Sequence, residues 1–426
     1  MALLYKHTRW AALLFVMACS RDPAAQSAAN GDFEGLRAQL QARVLANKLG
    51  SEDTVDIAQK TLQYEVNHLA GAHAVDDLRG LAPCARAVKS LMWEVADSHS
   101  ALAGAAALFL VEHELVSPGA FSDRRNDGDA FFRAAGTRSL TDDDQQNERQ
   151  LRLHDDDLFV RRMAALAMGD SNLAGFAALK NSARTDPDPG VAIYAIRSMI
   201  KLAARADADA RAPLVLEFAD LLEGARNEAR STLVSAFGHP DLFAFGGRNF
   251  LEKASADAGL SAVDAAAYWT MRDPEGEDRL LQFAQSNDPV RAAYAIRRLS
   301  LSRPKSREFI EKQLAAKAFT ELQQLAVAQM FAGNESTVAR SKDILHSLTA
   351  SADGEIAFAA NVLLARFFEP SARKRMDDEL AQANSPFVNL AVRTLSQMGH
   401  AEDAWQLLSS SDRAVRVATA CDIVGK

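Results

Sequence analysis

A short helical motif recurs along this 426-residue chain and strongly limits the folds that the chain can adopt. The segment DPVRAAYAIRRL, from Asp288 to Leu299, repeats the pattern of DPGVAIYAIRSM, from Asp188 to Met199. Each copy carries a small residue near the middle of its predicted helix, and the same position can be followed through further copies. The seven anchor residues defined in this way are Ala165, Ala195, Ala295, Ala328, Ala360, Ala391 and Ala420.

Successive anchors lie 29 to 33 residues apart, except for one gap of 100 that has room for two weaker copies near Thr232 and Ala267. This period, combined with helical patterning, is typical of stacked helical hairpins. An aspartate, often followed by proline, can cap the first helix of each copy. A second amphipathic helix follows. Because one hairpin cannot bury its own apolar stripe, the pattern predicts an all-α stack whose neighbours cover one another.

The underlying pattern, D-P-x-V-R-x-x-A-x-x-A-L, resembles HEAT repeats of the short kind, often called PBS-lyase HEAT-like repeats. The resemblance covers about Leu151 to Lys426 and implies an α-solenoid of helical hairpins. It implies little about function, because such solenoids have many roles. In this family an acid at the turn and an arginine on the next helix bond between repeats. The resemblance implies this inter-repeat ladder for Asp288 with Arg291, and for Asp412 with Arg416.

The N-terminus has the pattern of a secretory signal. Lys6 and Arg9 precede an uncharged stretch from Trp10 to Ala18. This stretch is much shorter than the roughly 20 residues that a membrane-spanning helix needs. Its end, Val-Met-Ala-Cys at 16–19, resembles the bacterial lipobox. The resemblance implies a diacylglycerol thioether on Cys19, cleavage before it and acylation of the new N-terminus.

The residue after this cysteine bears on localisation. Ser20 stands where an inner-membrane retention signal has aspartate, which implies the outer membrane in organisms that use this sorting rule. Two alternatives stay open for the N-terminus. It can be an ordinary secretory signal of a soluble periplasmic protein, or it can be a buried helix.

Upstream of the repeats the pattern is less regular. Amphipathic segments beginning at Phe33 and Ser51 predict helices, whereas the charged stretches from Ser122 and Ser139 predict an irregular connection. The last repeat has a first helix and no second, and we expect that helix to cap the stack. We therefore expect a signal peptide at 1–18, a flexible tether at 19–31, an N-terminal helical module at 32–120, a polar connection at 121–150 and the HEAT-like repeat solenoid at 151–426.

Charge and cysteine content exclude some functions. Removal of residues 1–18 takes away Lys6 and Arg9 and no acid, so the net charge changes from −8 to −10. This argues against a nucleic-acid partner, which requires a concentrated basic face. Once Cys19 is set aside, only Cys84 and Cys421 remain. Two such distant cysteines do not form a disulfide framework, and we expect two separate buried thiols.

Motifs that carry chemistry are weak. The sequence has no H-E-x-x-H, C-x-x-C or glycine-rich phosphate loop, so we expect no catalytic residue, metal or cofactor. The alternative is a metal-dependent enzyme or enzyme subunit with a site around His99, His113 and Glu114. The acidic runs 142–144 and 155–157 could attract calcium, but their spacing differs from an EF-hand loop. Helix capping explains the second run.

The segment FAFGGRNF lies where the repeat is most distorted. Two interpretations remain open for its aromatic residues. The loop can fold back onto the core, or Phe243, Phe245 and Phe250 can form an exposed contact for a partner.

These features together predict a membrane-anchored lipoprotein of the cell envelope. We expect it to act as a non-enzymatic scaffold that binds one or more proteins, because helical solenoids offer broad surfaces for such partners.

Overall fold

The computed structural model describes residues 22–46, 50–69, 74–225, 227–257, 259–382, 385–398 and 401–425. Over these residues the regular secondary structure is entirely helical, which confirms the predicted all-α class. None of the helices within these ranges has the length and apolar character needed to cross a bilayer.

The α-helices are numbered here in chain order. They are α1 Pro23–Asn30, α2 Phe33–Leu45, α3 Ser51–Asn67, α4 Ala74–Arg79, α5 Lys89–Ala96, α6 Ala103–Glu112, α7 Ala130–Thr137, α8 Gln146–Arg152, α9 Leu158–Gly169, α10 Phe176–Thr185, α11 Pro189–Arg205, α12 Ala208–Gly224, α13 Asn227–Ala236, α14 Pro240–Leu242, α15 Arg248–Ser255, α16 Leu260–Arg272, α17 Glu275–Ala284, α18 Pro289–Ile296, α19 Pro304–Ala315, α20 Glu321–Ala332, α21 Val338–Leu348, α22 Gly354–Arg366, α23 Pro370–Leu380, α24 Val388–Gln397 and α25 Arg413–Val424.

Shorter helical turns connect several of these helices. The 3₁₀ helices are Ala82–Cys84, Pro118–Arg124, Asp143–Gln145, Leu173–Gly175 and Ala401–Ser409, and a π-helical turn spans Phe243–Gly247.

Aspartate begins the first helix of the repeats, as the motif predicts. Asp157, Asp188, Asp288 and Asp412 each accept hydrogen bonds from backbone N–H groups in the first turn of α9, α11, α18 and α25. Proline occupies the first helical position of α11 and α18, where its missing N–H has no helical partner to lose. The local signals for these helix starts are therefore confirmed.

The small residue at mid-helix is buried in all seven of the clear copies. The side chains of all seven anchor alanines are 0% exposed. The two weaker copies also form helices, α13 and α16, but Thr232 and Ala267 are half-buried. Their neighbours Leu233 and Ala266 take the fully buried place. The two weaker copies therefore lie near the predicted positions, with a fully buried residue one position away.

The described residues form two compact units, and the second unit spans residues 116–360. Within it, the first helices α7, α9, α11, α13, α16, α18 and α20 each pack on the next in chain order. The intervening second helices pack on the first helices beside them, as α10 does on α11 of the next hairpin and α17 on both α16 and α18. The apolar stripes of successive hairpins thus cover one another, which is the packing that the repeat predicts.

The first unit joins the N-terminal helices to the C-terminal ones, since it comprises residues up to 115 and residues from 361 onward. Helix α25 packs against α3, α24 and two 3₁₀ helices, Ala82–Cys84 and Ala401–Ser409. Helix α25, which we expected to cap the stack, is itself covered by α3. This grouping also differs from the expected boundaries, which placed 361–426 with the repeats and 32–120 in a separate module.

The expected flexible tether at 19–31 is wrong for residues 22–31, which form the capped helix α1. Asp22 caps α1 by accepting from the backbone N–H groups of Ala24 and Ala25, and Gly31 ends α1 with a φ of 70°. Ala24 and Ala28 are 0% exposed because α1 packs on α2 and α3. The small, polar composition suggested flexibility, but here small side chains allow close helix packing.

Close backbone approach at Gly276 gives a test of the hairpin packing. A Cβ atom at this buried position of α17 would lie 2.5 Å from the backbone nitrogen of Thr270. We expect Gly276→Ala to lower the free energy of unfolding by about 1–3 kcal/mol in urea titrations, because the backbone of α16 must shift. Gly354→Ala is the matched control, since no atom lies within 4 Å of its added Cβ. Equal stability of the two variants would contradict this packing.

Candidate functional site

The predicted lipidation residue, Cys19, lies outside the described residues. The nearest described residue is Asp22, whose carboxylate pairs with Arg43 at 2.9 Å between Oδ2 and Nη1. Burial raises the pKa of Asp22, but hydrogen bonds from Arg43 and the backbone of α1 outweigh burial and lower it below its ordinary value. The chain that follows the predicted anchor is therefore fixed to α2 from Asp22 onward.

The expected ladder does not form at the first predicted pair. Asp288 caps its own helix, and its Oδ2 lies 4.0 Å from Nη2 of Arg291 within the same turn of α18. In three other repeats the arginine follows the capping aspartate by four residues, whereas Arg291 follows Asp288 by three. Val290 also follows its aspartate by one residue fewer than Val160 and Val415 do, and it is 56% exposed, whereas those two valines are buried. This prediction is wrong because the spacing differs.

Arginines on successive first helices nevertheless bind carboxylates of the next hairpin elsewhere in the second unit. Nε and Nη2 of Arg133 on α7 lie 3.2 and 3.3 Å from the Asp155 carboxylate. Arg161 on α9 binds Asp186 at 2.8 and 3.1 Å in the same way. The hydrogen bond with Asp186 raises the pKa of Arg161 above its ordinary value. Two neighbouring repeats therefore share one bidentate geometry.

The remaining terminal nitrogen of each arginine, Nη1, is held by backbone. It donates to the two carbonyls that precede the capping aspartate of its own helix, namely those of Asp127 and Gly128 for Arg133 and those of Asp155 and Asp156 for Arg161. The guanidinium thus joins the turn before its own helix to an acid of the next hairpin. We call this arrangement the arginine ladder.

A sequence signal for these residues was missed. Asp127, Asp129 and Arg133 follow the spacing D-x-D-x₃-R, and the same spacing recurs from Asp155 to Arg161. The second aspartate caps the helix in both copies. The first aspartate of the second copy, Asp155, binds Arg133 of the preceding repeat, whereas Asp127 pairs with Arg124. The capping interpretation of the acidic run 155–157 is confirmed, because Asp157 accepts from backbone N–H groups of α9.

In the second predicted pair, Asp412 with Arg416, the arginine binds a different acid. Arg416 does not bind the carboxylate of Asp412, which caps α25. Its Nε and Nη2 instead lie 2.8 and 2.6 Å from Oε1 of Glu65 on α3, and its Nη1 donates to the carbonyls of Ser410 and Ser411. Within the first unit, Glu65 therefore takes the place that an acid of a following repeat has in the arginine ladder.

Further contacts surround this buried pair. Arg413 Nε lies 2.9 Å from Oε2 of Glu65, and its Nη1 lies 2.8 Å from Oδ2 of Asp77. The Arg416 guanidinium stacks 4.0 Å from the centre of the Phe33 ring. The side chains of Glu65 and Arg416 are 4% and 9% exposed. Two arginines thus share one carboxylate that water barely reaches.

Removal of the Glu65 charge tests the importance of this cluster. We expect Glu65→Gln to lower the free energy of unfolding by about 3–5 kcal/mol, because it leaves Arg416 buried without its counter-charge. The control is Glu311→Gln, which breaks an exposed bidentate pair with Arg340 and should cost less than about 1 kcal/mol. The measurement is urea unfolding followed by circular dichroism. A loss of less than about 1 kcal/mol in unfolding free energy for both variants would show that the packing of α3 on α25 does not depend on the Glu65 charge.

The two remaining cysteines form a disulfide, which corrects the expectation of separate thiols. Cys84 and Cys421 are bonded with a Cα–Cα distance of 5.0 Å, within the usual range. They are 337 positions apart in the chain. Their proximity depends on α25 packing beside the Ala82–Cys84 turn, a contact between distant segments that the sequence pattern does not reveal.

Thiol titration tests the disulfide directly. We expect the Cys19→Ala protein, denatured without a reducing agent, to give no reactive thiol. After reduction it should give two reactive thiols. We also expect the double variant Cys84→Ser, Cys421→Ser to lose about 2–5 kcal/mol of unfolding free energy. Two free thiols before reduction would contradict the bond.

The aromatic segment partly folds into the core. Phe250 is 4% exposed and stacks on Phe237 with ring centres 4.0 Å apart, so it is not available as a partner contact. Phe243 and Phe245 are half-buried and pack against the same core. The Arg211 guanidinium lies 5.6 Å from the Phe245 ring centre. The prediction of an exposed aromatic contact is therefore wrong for Phe250.

A surface groove lies between two neighbouring second helices, α10 and α12. Its volume is about 420 Å³, and Phe176 and Leu214 supply apolar walls. Lys180 crosses the groove to pair with Glu217, and its Nζ lies 3.2 Å from Oδ2 of Asp220. The hydrogen bond with Glu217 raises the pKa of Lys180. The groove thus combines an apolar floor with paired charges at its rim.

The other second helices of this unit are also linked by ion pairs between neighbours. These pairs are Lys253–Glu223, Arg248–Glu275, Lys305–Asp278 and Arg340–Glu311. Because the partners are exposed, each contributes less than about 1 kcal/mol. Their main effect is on the surface, where opposite charges alternate from helix to helix.

The residues of the alternative enzyme site do not converge on a metal cluster. In the described part of the chain, no three His, Cys, Asp or Glu side chains are placed to share a metal ion. His113 packs on the Phe109 ring at 4.4 Å, and burial and the charge of Arg79 lower its pKa. Glu114 follows with a φ of 53° at the end of α6. His113 thus ends α6 and packs on a ring of that helix.

Comparison of the chain with protein-family models and with curated proteins gives no match.

Proposed function

We propose that the protein is a lipid-anchored protein of the cell envelope whose HEAT-like hairpins bind a protein partner without catalysing a reaction. The groove between α10 and α12 is the observation that carries the binding role. Its volume of about 420 Å³ is open to solvent, so that a segment of a partner could enter it. Leu173 and Leu216, which are close in sequence to the groove residues Phe176 and Glu217, are 37% and 66% exposed. Helical repeats commonly present such inter-helix surfaces to proteins.

The disulfide supports location outside the reducing cytosol. Disulfides persist in exported proteins and are rare where cellular thiol systems keep cysteines reduced. The bond between Cys84 and Cys421 is therefore in keeping with the signal pattern that ends at Cys19. The lipobox resemblance supports a lipid on Cys19, and Ser20 after it favours the outer membrane.

The charge pattern favours a protein over a polyanion. Ion pairs between neighbouring second helices neutralise one another, and the chain is acidic overall. A nucleic acid would need a basic stripe. A protein surface with mixed charge and an apolar segment fits the groove better.

Obstruction of the groove tests the proposed role. Ala177 is exposed on the groove wall, and we expect Ala177→Trp to weaken partner binding by at least about tenfold, since the indole fills the space that the partner needs. The measurement is crosslinked affinity capture from cell envelopes, followed by titration of the captured protein. Ala315→Trp, at an exposed position of α19, is the matched control and should bind normally.

Two further results decide the proposal. Cys19→Ala should abolish membrane retention while the purified protein keeps its affinity for the partner. Identical capture by the native protein and by Ala177→Trp would exclude the groove as the binding site.

A further inference from the structure

One end of the first unit lies close to the predicted lipid anchor. We propose that the surface formed by Asp22, Val44 and Leu45 lies against the phospholipid bilayer, with the two apolar side chains inserted at its interface. This inference rests on the proposed lipid on Cys19. It goes further by assigning the part of the folded body that touches the membrane.

Covalent geometry limits the distance between the anchor and the folded body. Two residues lie between Cys19 and Asp22. Their Cα atoms are therefore three Cα–Cα steps, or at most about 11 Å, apart. Asp22 is already part of the fold, because it caps α1 and the alanines of α1 are buried. The interfacial layer of a bilayer is itself roughly 5–8 Å thick on each side. A lipid on Cys19 therefore holds Asp22 at the membrane surface.

The end of α2 shares this position. Arg43, in its last turn, binds the Asp22 carboxylate, with Nη1 at 2.9 Å from Oδ2. Val44 and Leu45 follow directly and are 43% and 89% exposed. Among the large apolar side chains in the described ranges, Leu45 is the most exposed. The most water-exposed apolar residue thus lies next to the point where the chain leaves for the anchor.

The described charges beside Val44 and Leu45 are those of Asp22, Arg43 and Asp53. The charges of Asp22 and Arg43 neutralise each other. Oδ2 of Asp53 lies 4.0 Å from Nη1 of Arg43 and adds a negative charge. These three residues therefore do not form the kind of basic cluster that binds anionic headgroups. This surface fits a zwitterionic phospholipid bilayer, because Val44 and Leu45 would move from water to the boundary between headgroups and acyl chains.

Spin-label depth measurement tests the contact. A nitroxide on Leu45→Cys is placed in the acylated protein, which is reconstituted in phosphatidylcholine vesicles. We expect the ratio of collisions with oxygen to collisions with a water-soluble nickel chelate to rise on the order of tenfold over the same label in Cys19→Ala protein, because oxygen concentrates in the bilayer. Val44→Asp should reduce this rise.

A label on Leu216→Cys, another exposed leucine, is the matched control and should keep the ratio of an aqueous site. Equal immersion of both labels would overturn the assignment as non-specific adsorption. Protection of the Leu45 label from both reagents would overturn it in favour of cover by protein, such as a second copy of this chain.

Mass spectrometry of the N-terminal peptide separates the two proposals. If Cys19 carries acyl groups and the Leu45 label stays accessible to nickel, the membrane contact is wrong and the anchor stands. If Cys19 carries no lipid, the anchor is wrong and this contact is overturned with it.

Discussion

Burial of small side chains between neighbouring helices is the constraint on which the rest of this structure depends. A single hairpin of this chain has an apolar stripe that its own two helices cannot cover. The anchor alanines, all 0% exposed, allow the first helices to approach and cover that stripe together. Larger residues at these positions would separate the helices and expose the stripe. The polar features, including capping aspartates and the arginine ladder, act on helices that this packing already places.

Stacked hairpins leave an exposed apolar face at each end of a series, and the first unit shows one solution. Helix α3 covers α25, and Glu65 binds Arg416 where a following repeat would supply an aspartate. The disulfide between Cys84 and Cys421 fixes a neighbouring segment to the same helix. An N-terminal helix thus serves a C-terminal repeat as its next neighbour. This arrangement gives Arg416 an acidic partner of the kind that Arg133 and Arg161 find in the next hairpin.

The sequence allowed good prediction of features that depend on near neighbours in the chain. The helical class, the capping role of Asp157 and the burial of anchors such as Ala195 follow from local spacing. The partner of Arg416 and the pairing of the cysteines could not be predicted, because they join segments more than 300 residues apart. The arginine ladder lies between these cases. Its D-x-D-x₃-R spacing is local and visible, but only the structure shows that Arg133 reaches the next hairpin.

The helix that replaces the expected tether changes what an anchored scaffold can do. A flexible link of 13 residues would have a root-mean-square span of roughly 20 Å and would let the body turn freely above the lipid. With α1 folded from Pro23, the link between a lipid on Cys19 and the body shortens to three residues. The first unit would then keep one orientation at the membrane. Those surfaces of the first unit that face the lipid would then be closed to a partner, whatever their affinity for it.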